Sequence, residues 1–480
     1  MIRSLEIQRA DRTMLLVAAA VAAAIGVVAA ATSPLIPLGV VAGLLAVAFI
    51  WWRPVVGVGL FVAVVAVLPF GVIPVPLAGA QPTFVDAIFI ATFLAMLGRW
   101  VFTTEKVPLD APGIALILFV LVAVAAFVAG AGNSSITPEL VRRTGKLLAS
   151  VLFFLVARDV LDTVGRLAGI TRALIVAGAV QGAIGAGLMA LSPLTQLTLL
   201  SRLQVIGYPT DSVLRYVPGP NDTYTTQLRA IGTSVDPNVF AGTLMLALVL
   251  IVAQWASPRP VLRKSVLCLL AVPTAAGVLL SLSRASWAGL AIGLGFIGVL
   301  LYRRILVLGV IGAVGVLATP VAQSFIARFV GGFSAADPAT AFRLGEYSNA
   351  LTLLGRYPLL GIGFGASPDI DVTAGVSSVY LLVAEQTGLL GLSVYLVALG
   401  ATWLIGVRGL RQVQDRRLQG IRAAFLAAVT AALVTGLLDH YFANQAFPHA
   451  VALFWLYAAA LVSASRITCS EPRPTATGPG

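Results

Sequence analysis

Residues that could transfer protons are concentrated in a short polar segment near the C-terminus. His440 directly follows Asp439, and His449, the second of only two histidines, lies nine residues later. An imidazole titrates near neutral pH and a neighbouring carboxylate can orient it, so Asp439 and His440 are candidates for a general base. An ordinary helix end at the membrane surface is the alternative interpretation. The other candidate bases are Glu346, Asp369 and Asp371.

Three arginines lie in motifs that could bind an anion. Arg229 precedes an Asp-Pro-Asn helix start, Arg284 lies in a Ser-Arg-Ala turn, and Arg343 begins an amphipathic helical pattern. A guanidinium group keeps its charge and can direct two donors at one phosphate, so these residues are candidates for binding a diphosphate. Arg229 could instead snorkel to the membrane surface or pair with Asp236.

No motif for a cofactor or metal stands out. The glycines of residues 361–365 alternate, but no predicted strand precedes them and no Gly-Lys-Ser follows, so a tight turn is favoured over a nucleotide loop. The two histidines lack the spacing of a metal-binding pair. The sequence therefore predicts a mechanism without metal or cofactor.

The elements that must position these residues are membrane helices. Of the 480 residues, 59% are hydrophobic and only 10% are charged, and the mean hydropathy is +0.99. This composition excludes an ordinary soluble domain and predicts an all-α integral membrane protein. We expect about 12–14 transmembrane helices, with candidate spans beginning near residues 13, 35, 55, 84, 113, 140, 168, 236, 264, 285, 305, 378, 422 and 448.

The distribution of basic residues predicts the orientation in the membrane. Loops rich in Lys and Arg stay in the cytoplasm, and a cytoplasmic N-terminus places 21 of the 31 basic residues there. An even number of spans then puts the C-terminus inside as well. The net charge of +12 follows largely from this bias, so no nucleic-acid partner is predicted. Ten basic residues fall on the other face, where basic residues are uncommon, and their position there needs a specific explanation. They are Arg142, Arg143, Lys146, Arg202, Arg215, Arg229, Arg284, Arg328, Arg343 and Arg356.

Polar interruptions divide the chain into six regions. Long polar segments must lie outside the hydrocarbon, where chemistry with headgroups or soluble partners is possible. The predicted regions are scaffold helices over 1–191, an extracytoplasmic loop over 192–235, helices over 236–322, a large partly helical extracytoplasmic loop over 323–377, helices over 378–465 and a disordered cytoplasmic tail over 466–480.

A series of motifs between Leu228 and Gly391 resembles the O-antigen ligase and polymerase superfamily. The motifs are an arginine ahead of D-P-N, S-R-A, R-x-x-x-Y-x-x-A-L, P-L-L-G-I-G-F-G and Y-L-x-x-x-E-x-T-G-L-L-G, in this order. Each motif is weak by itself, but their order and their predicted position on one side of the membrane make the combination fairly specific.

The resemblance implies a multi-spanning glycosyltransferase of the bacterial inner membrane. It would move a glycan from a polyprenyl-diphosphate carrier to a glycan, lipid or protein acceptor on the outer face, without nucleotide sugar or metal. By resemblance, Arg229, Arg284 and Arg343 would bind the diphosphate. Ligases of this family usually carry a histidine base near the position of Ser377, and serine cannot act as such a base at neutral pH. Either His440 with Asp439, or Glu346, would replace it, or the diphosphate would leave with little assistance from a base.

Two other functions are compatible with a multi-spanning protein of this composition. A flippase for lipid-linked glycans should carry polar or ionisable residues along a path at mid-membrane, whereas the predicted spans are nearly free of them. A catalytically silent family member with a scaffolding role is the other alternative.

Overall fold

The computed structural model describes residues 35–73, 81–102, 109–133, 135–209, 213–218, 224–317, 338–369 and 371–470. The first predicted span, the N-terminus, residues 323–337 of the predicted large loop and most of the predicted tail lie outside these ranges.

The described chain is a bundle of helices with one small hairpin. The 15 α-helices are α1 (Leu35–Trp52), α2 (Pro54–Val67), α3 (Phe84–Phe102), α4 (Ala111–Gly130), α5 (Pro138–Val160), α6 (Val164–Met189), α7 (Pro193–Ser201), α8 (Pro237–Ala256), α9 (Lys264–Leu280), α10 (Arg284–Leu300), α11 (Arg303–Leu317), α12 (Pro338–Arg356), α13 (Val379–Val407), α14 (Arg416–Leu438) and α15 (Pro448–Ser470). Strands β1 (Arg215–Pro218) and β2 (Tyr224–Arg229) pair antiparallel.

Seven of these helices are long and apolar enough to cross a membrane, and four shorter apolar stretches accompany them. The prediction of an all-α membrane protein is therefore confirmed. The predicted number of about 12–14 spans stays a prediction, because several described helices are shorter than the roughly 17–25 residues of a typical span.

Local sequence signals set where several helices begin. Asp236 precedes the first residue of α8, Pro237, and its side chain accepts hydrogen bonds from the amides of Asn238 and Val239. Asp110 and Thr137 cap α4 and α5 in the same way, each with proline in the first turn. A carboxylate or hydroxyl cap followed by proline satisfies the unpaired amides of the first turn.

The centre of the bundle is built from the C-terminal half of the chain. Most of α8, α14 and α15 is buried inside the protein, whereas α3 and α4 leave most of their surface exposed. Among the described residues, α14 packs closely on α8, α10 and α15. The inner helices therefore fix the segments that follow their ends.

One end of the bundle collects the polar segments, and we call it the loop end. Phe70, just after α2, contacts the ring of Tyr208 from the 192–235 segment at 6.2 Å and that of His449 at 4.9 Å. The hydroxyl of Tyr347 in α12 donates to the carbonyl of Leu437 at the end of α14. Because α2 runs from Pro54 toward the loop end, Arg53 lies at the opposite end of the bundle.

A glycine turn at the loop end forms hydrogen bonds with α13 where the helix is broken. Gly361 and Gly363 have positive φ angles of 66° and 82°, and Gly388 breaks the helical conformation of α13 with a φ of 67°. The amide of Ile362 donates to the carbonyl of Glu385. The glycines therefore form the predicted tight turn, and the amides of this turn donate to carbonyls of α13 just before Gly388.

Gly388→Ala should lower the free energy of unfolding by about 2 kcal/mol or more. A positive φ costs an L-residue roughly 1–2 kcal/mol, and a Cβ at Gly388 would also overlap the carbonyl of Leu359. Thermal denaturation in detergent measures the effect. Gly400→Ala in the same helix is the control, because nothing lies near a Cβ at that position. Equal melting temperatures for the two variants would contradict this description of the break.

Candidate functional site

A cleft of about 470 Å³ opens at the loop end. Its walls come from α12, the segment before α13, the start of α13 and the connection between α14 and α15. The polar or ionisable side chains that line it are those of Glu346, Asn349, Thr373, His440 and Asn444. Four chain segments thus converge on one cavity large enough for part of a glycan.

His440 enters this cleft from the connection that follows α14, and the buried Asp439 lies next to it. Oδ1 of Asp439 accepts a hydrogen bond of 2.8 Å from the amide of His440 and lies 3.5 Å from Nδ1 of its ring. The side chain of Asp439 is only 5% exposed, while that of His440 is 28% exposed. The carboxylate is therefore held beneath the imidazole, which faces the cavity.

The charge of Asp439 controls the ionisation of His440. Burial by itself lowers the pKa of His440, but the hydrogen bonding and charge of Asp439, with smaller contributions from Glu346 and Asp236, raise it above the usual value. The neutral imidazole of His440 is thus a stronger base than that of an isolated histidine, but the side chain loses its proton only at a higher pH.

Glu346 lines the cleft and also fixes one wall. Its Oε2 accepts a hydrogen bond of 3.0 Å from the amide of Ser377. Ser377 is the position near which the resemblance places the family's histidine. Val376, next to it, lines the same cleft as His440. His440 therefore reaches, from another part of the chain, the wall that precedes α13.

Glu385 is a residue of the site to which the motifs assigned no role. It lies in the second turn of α13 and is 2% exposed. Its Oε1 accepts a hydrogen bond of 2.8 Å from the amide of Gly375, which has a φ of 109°. The signal in the sequence was an ionisable residue inside an apolar span. Glu346 and Glu385 together hold the amides of residues 375 and 377 in the cleft wall.

Glu385→Leu should release the cleft wall, whereas Glu385→Gln should preserve it because an amide oxygen still accepts from Gly375. Hydrogen bonds to charged groups contribute about 1.5–3 kcal/mol, so amide exchange at residues 375–377 should quicken by roughly 10- to 100-fold in the leucine variant. Hydrogen exchange measured by mass spectrometry tests this expectation. Ser393→Ala, an exposed change in the same helix, should leave these amides protected. Unchanged protection in Glu385→Leu would contradict the role of Glu385.

Arg229 joins three elements at the loop end. At the end of β2, its Nε donates to the carbonyl of Ser281 at 2.8 Å and its Nη2 donates to Oδ1 of Asn238 at 2.6 Å. Ser281 lies three residues before Arg284, which is the first residue of α10. The structure therefore brings Arg229 to the turn that carries Arg284.

The turn of Arg284 packs against the segment of the candidate base. The hydroxyl of Ser286 lies 3.4 Å from that of Tyr441, and the hydroxyl of Thr435 in α14 lies 3.4 Å from the carbonyl of Ala285. Tyr441 directly follows His440. Residues 284–286 and 435–441 are thus in direct contact.

Arg343 lies on α12, one helical turn before Tyr347. Burial raises the pKa of Tyr347, and the charge of Arg343 partly offsets this rise, so the two side chains are near each other. The same phenol donates to the carbonyl of Leu437, two residues before Asp439. Arg343 is thus linked through Tyr347 to the segment of the candidate base.

The remaining candidate residues take other positions. His449 is buried and packs edge-on against Phe70 at 4.9 Å, outside the lining of the cleft. Asp369 and Asp371 do have the Asp-x-Asp spacing of cation ligands, contrary to the expectation that the sequence holds no metal motif, but their carboxylates lie 2.8 and 2.9 Å from nitrogens of Arg356. Within the described ranges, no group of three or more His, Cys, Asp or Glu residues could hold a metal ion.

Several of the basic residues predicted on the extracytoplasmic face lie at the loop end because they pair with nearby carboxylates. Arg142 and Arg143 pair with Glu139, and Lys146 lies 2.6 Å from Asp86. Arg356 pairs with Asp369 and Asp371.

Comparison with known families identifies the region that carries most of this site. Residues 266–396 match the family model described as O-antigen ligase. Over these residues the chain is similar to the O-antigen ligase family. The resemblance to the O-antigen ligase and polymerase superfamily is thereby confirmed. No curated protein matches the chain.

The O-antigen ligase region extends from the first turn of α9 to the middle of α13. It contains Arg284, Arg343, Glu346 and Glu385, and hence the arginine turn and both carboxylates of the cleft wall. Arg229, Asp439 and His440 lie outside the matched residues. The hydrogen bonds of Arg229 and the Ser286–Tyr441 contact join these outer segments to the O-antigen ligase region.

Proposed function

We propose that the protein is an outer-face glycosyltransferase that moves a glycan from a polyprenyl-diphosphate carrier, of the undecaprenyl type, to an acceptor hydroxyl. The O-antigen ligase match supports a role in assembling cell-surface glycans. The observation that carries the proposal is the contact between the Arg284 turn and the segment of Asp439 and His440, because a diphosphate bound at this turn would lie near a base that lines the cleft.

In the proposed reaction, His440 accepts the proton of the acceptor hydroxyl. The acceptor oxygen then forms a bond to the anomeric carbon of the donor sugar, and the bond from that carbon to the diphosphate breaks. The diphosphate leaves with the electron pair of this bond, and the proton remains on His440 until solvent removes it. Neither a metal ion nor a nucleotide sugar takes part.

The arginines stabilise the departing diphosphate most strongly as its bond to the sugar breaks. Negative charge builds up on the departing diphosphate, and Arg229, Arg284 and Arg343 can direct charge-assisted hydrogen bonds at it. Interactions that strengthen in the transition state raise the rate, whereas equal binding of the ground state does not. The charge of Asp439 stabilises the imidazolium that forms on His440.

The loop end should face the extracytoplasmic side of the bacterial inner membrane, with both termini in the cytoplasm. A fluorescent protein that matures only in the cytoplasm should therefore stay dark when fused after Pro338 and should fluoresce when fused after Arg411. Arg411 lies in the connection between α13 and α14, at the opposite end of the bundle. Fluorescence from the first fusion would contradict action on the outer face.

Cells that lack the protein should accumulate its lipid-linked donor in the outer leaflet. A transferase acts after the donor has crossed the membrane, whereas loss of a flippase would leave the donor in the inner leaflet. A lectin or glycosidase added to intact cells reaches only the outer leaflet, and disrupted cells provide the total. Donor that is protected in intact cells would contradict the proposal and favour a flippase.

A further inference from the structure

A second pocket, at the opposite end of the bundle, carries charged and aromatic residues that the proposed reaction does not use. It encloses about 830 Å³ and is lined by Trp51, Trp52, Arg53, Arg99 and Arg166 together with small apolar residues. These residues come from the end of α1, the start of α2, the end of α3 and the first turn of α6. We call this cavity the arginine pocket.

The tryptophans place the arginine pocket at the depth of lipid headgroups. Trp51 and Trp52 end an apolar helix and are 60% and 71% exposed. Tryptophan is enriched where membrane helices reach the boundary between hydrocarbon and water. Trp51 packs on Gly98 of α3, where an added Cβ would lie 3.1 Å from its ring. A tryptophan and the arginines are thus held on adjoining helices.

The charge of the pocket suits a phosphate. None of the described residues that line it is acidic, whereas three are arginines. Asp162 lies at the rim, 2.6 Å from Nη1 of Arg166, and Asp159 accepts a hydrogen bond of 3.1 Å from Nε1 of Trp100. The guanidinium of Arg53 lies 5.0 Å from the ring of Trp52. Even with Asp159 and Asp162 included, arginines outnumber carboxylates among the described residues at this cavity.

We propose that the arginine pocket binds the phosphate headgroup of an anionic phospholipid from the leaflet at that end. The arginines would direct donors at the phosphate, and the exposed tryptophan faces would lie along the glycerol and the upper acyl chains. The headgroup depth favours a lipid over a soluble anion. Basic pockets between membrane helices recognise anionic lipids by the same chemistry. This binding is independent of glycan transfer.

Native mass spectrometry of the purified full chain tests the proposal, with phosphatidylglycerol and phosphatidylcholine as probes. The wild type should retain phosphatidylglycerol in preference to phosphatidylcholine. Each arginine near a charged lipid surface should contribute roughly fivefold in affinity, so Arg53→Gln should lower retention by about that factor and the triple glutamine variant by roughly 100-fold. Arg53 is exposed, so the single variant should fold even if the triple variant does not.

Arg259→Gln is the matched control, because this exposed arginine lies at the same end of the bundle, in the connection between α8 and α9. It removes the same charge and should leave retention unchanged. Equal retention of the two lipids by the wild type, or an equal loss in Arg259→Gln and Arg53→Gln, would overturn the proposal. Displacement of phosphatidylglycerol by inorganic phosphate would identify a site for free anions instead.

Discussion

Replacing Arg284 with alanine should lower the rate of glycan transfer by roughly 10²- to 10³-fold, the typical cost of removing one preorganised donor to a developing anion. Arg284→Lys keeps the charge but loses the planar pair of donors, so it should recover only part of the rate. The effect should fall mainly on kcat, because the charge on the diphosphate grows as the bond breaks. Transfer from a defined lipid-linked donor, followed over time, measures it.

Arg142→Ala provides the matched control for Arg284. Arg142 also lies at the loop end, but it is exposed and pairs with Glu139 three residues away. Its removal changes the net charge equally and should leave transfer unchanged. If Arg284→Ala and Arg284→Lys both transferred glycan at the wild-type rate, Arg284 would not bind the diphosphate.

His440→Ala should lower transfer by roughly 10²- to 10⁴-fold, the range that general-base catalysis supplies. In the wild type the rate should rise with pH, because only the neutral imidazole can accept the proton. Burial lowers the pKa of His440, and Asp439, Glu346 and Asp236 together raise it by more, so the midpoint of this rise should lie above the value of about 6.5 that is typical of histidine. Rates measured between about pH 5 and pH 9 test both expectations.

Asp439→Asn tests the contribution of the carboxylate charge to the basicity of His440. Without the carboxylate charge, the pKa of His440 should fall, so the midpoint should move to lower pH while the limiting rate at high pH also falls. Asp371→Asn is the control, because Asp371 pairs with Arg356 on the surface and should leave the profile unchanged. A His440→Ala protein with the wild-type rate and pH profile would eliminate this base and leave Glu346 as the next residue to test.

Short-range signals predicted much of the fold. The apolar composition predicted membrane helices, Asp236 and Pro237 predicted the start of α8, and the glycines of residues 361–365 predicted a turn. Each of these features depends on residues within a few positions of one another. The ordered motifs predicted the O-antigen ligase family because they preserve a pattern of residue types along the chain.

The assembly of the site could not be read from the sequence, because it depends on contacts between distant residues. The hydrogen bond from Arg229 to Ser281 spans 52 residues, and the contact between Ser286 and Tyr441 spans 155. Glu385 was visible as a carboxylate in an apolar span, but its partner, the amide of Gly375, depends on how the segment before α13 folds back.

The surroundings of Ser377 also depend on contacts between distant residues. The family resemblance implied that a histidine is missing near this residue, and the sequence offered Asp439 and His440 as a replacement without indicating where they lie. In the structure, the wall that ends at Ser377 and the ring of His440 border one cleft. The two segments meet because α12 packs on the end of α14 through Tyr347.

The most direct test of the account is transfer by the purified protein in proteoliposomes. They would contain the polyprenyl-diphosphate-linked glycan of the source cell and its acceptor, without nucleotide sugar and with a chelator of divalent cations. Each glycan joined to the acceptor should release one polyprenyl diphosphate, and Arg284→Ala should suppress both products equally. Movement of the intact donor across the membrane, with neither product formed, would contradict it.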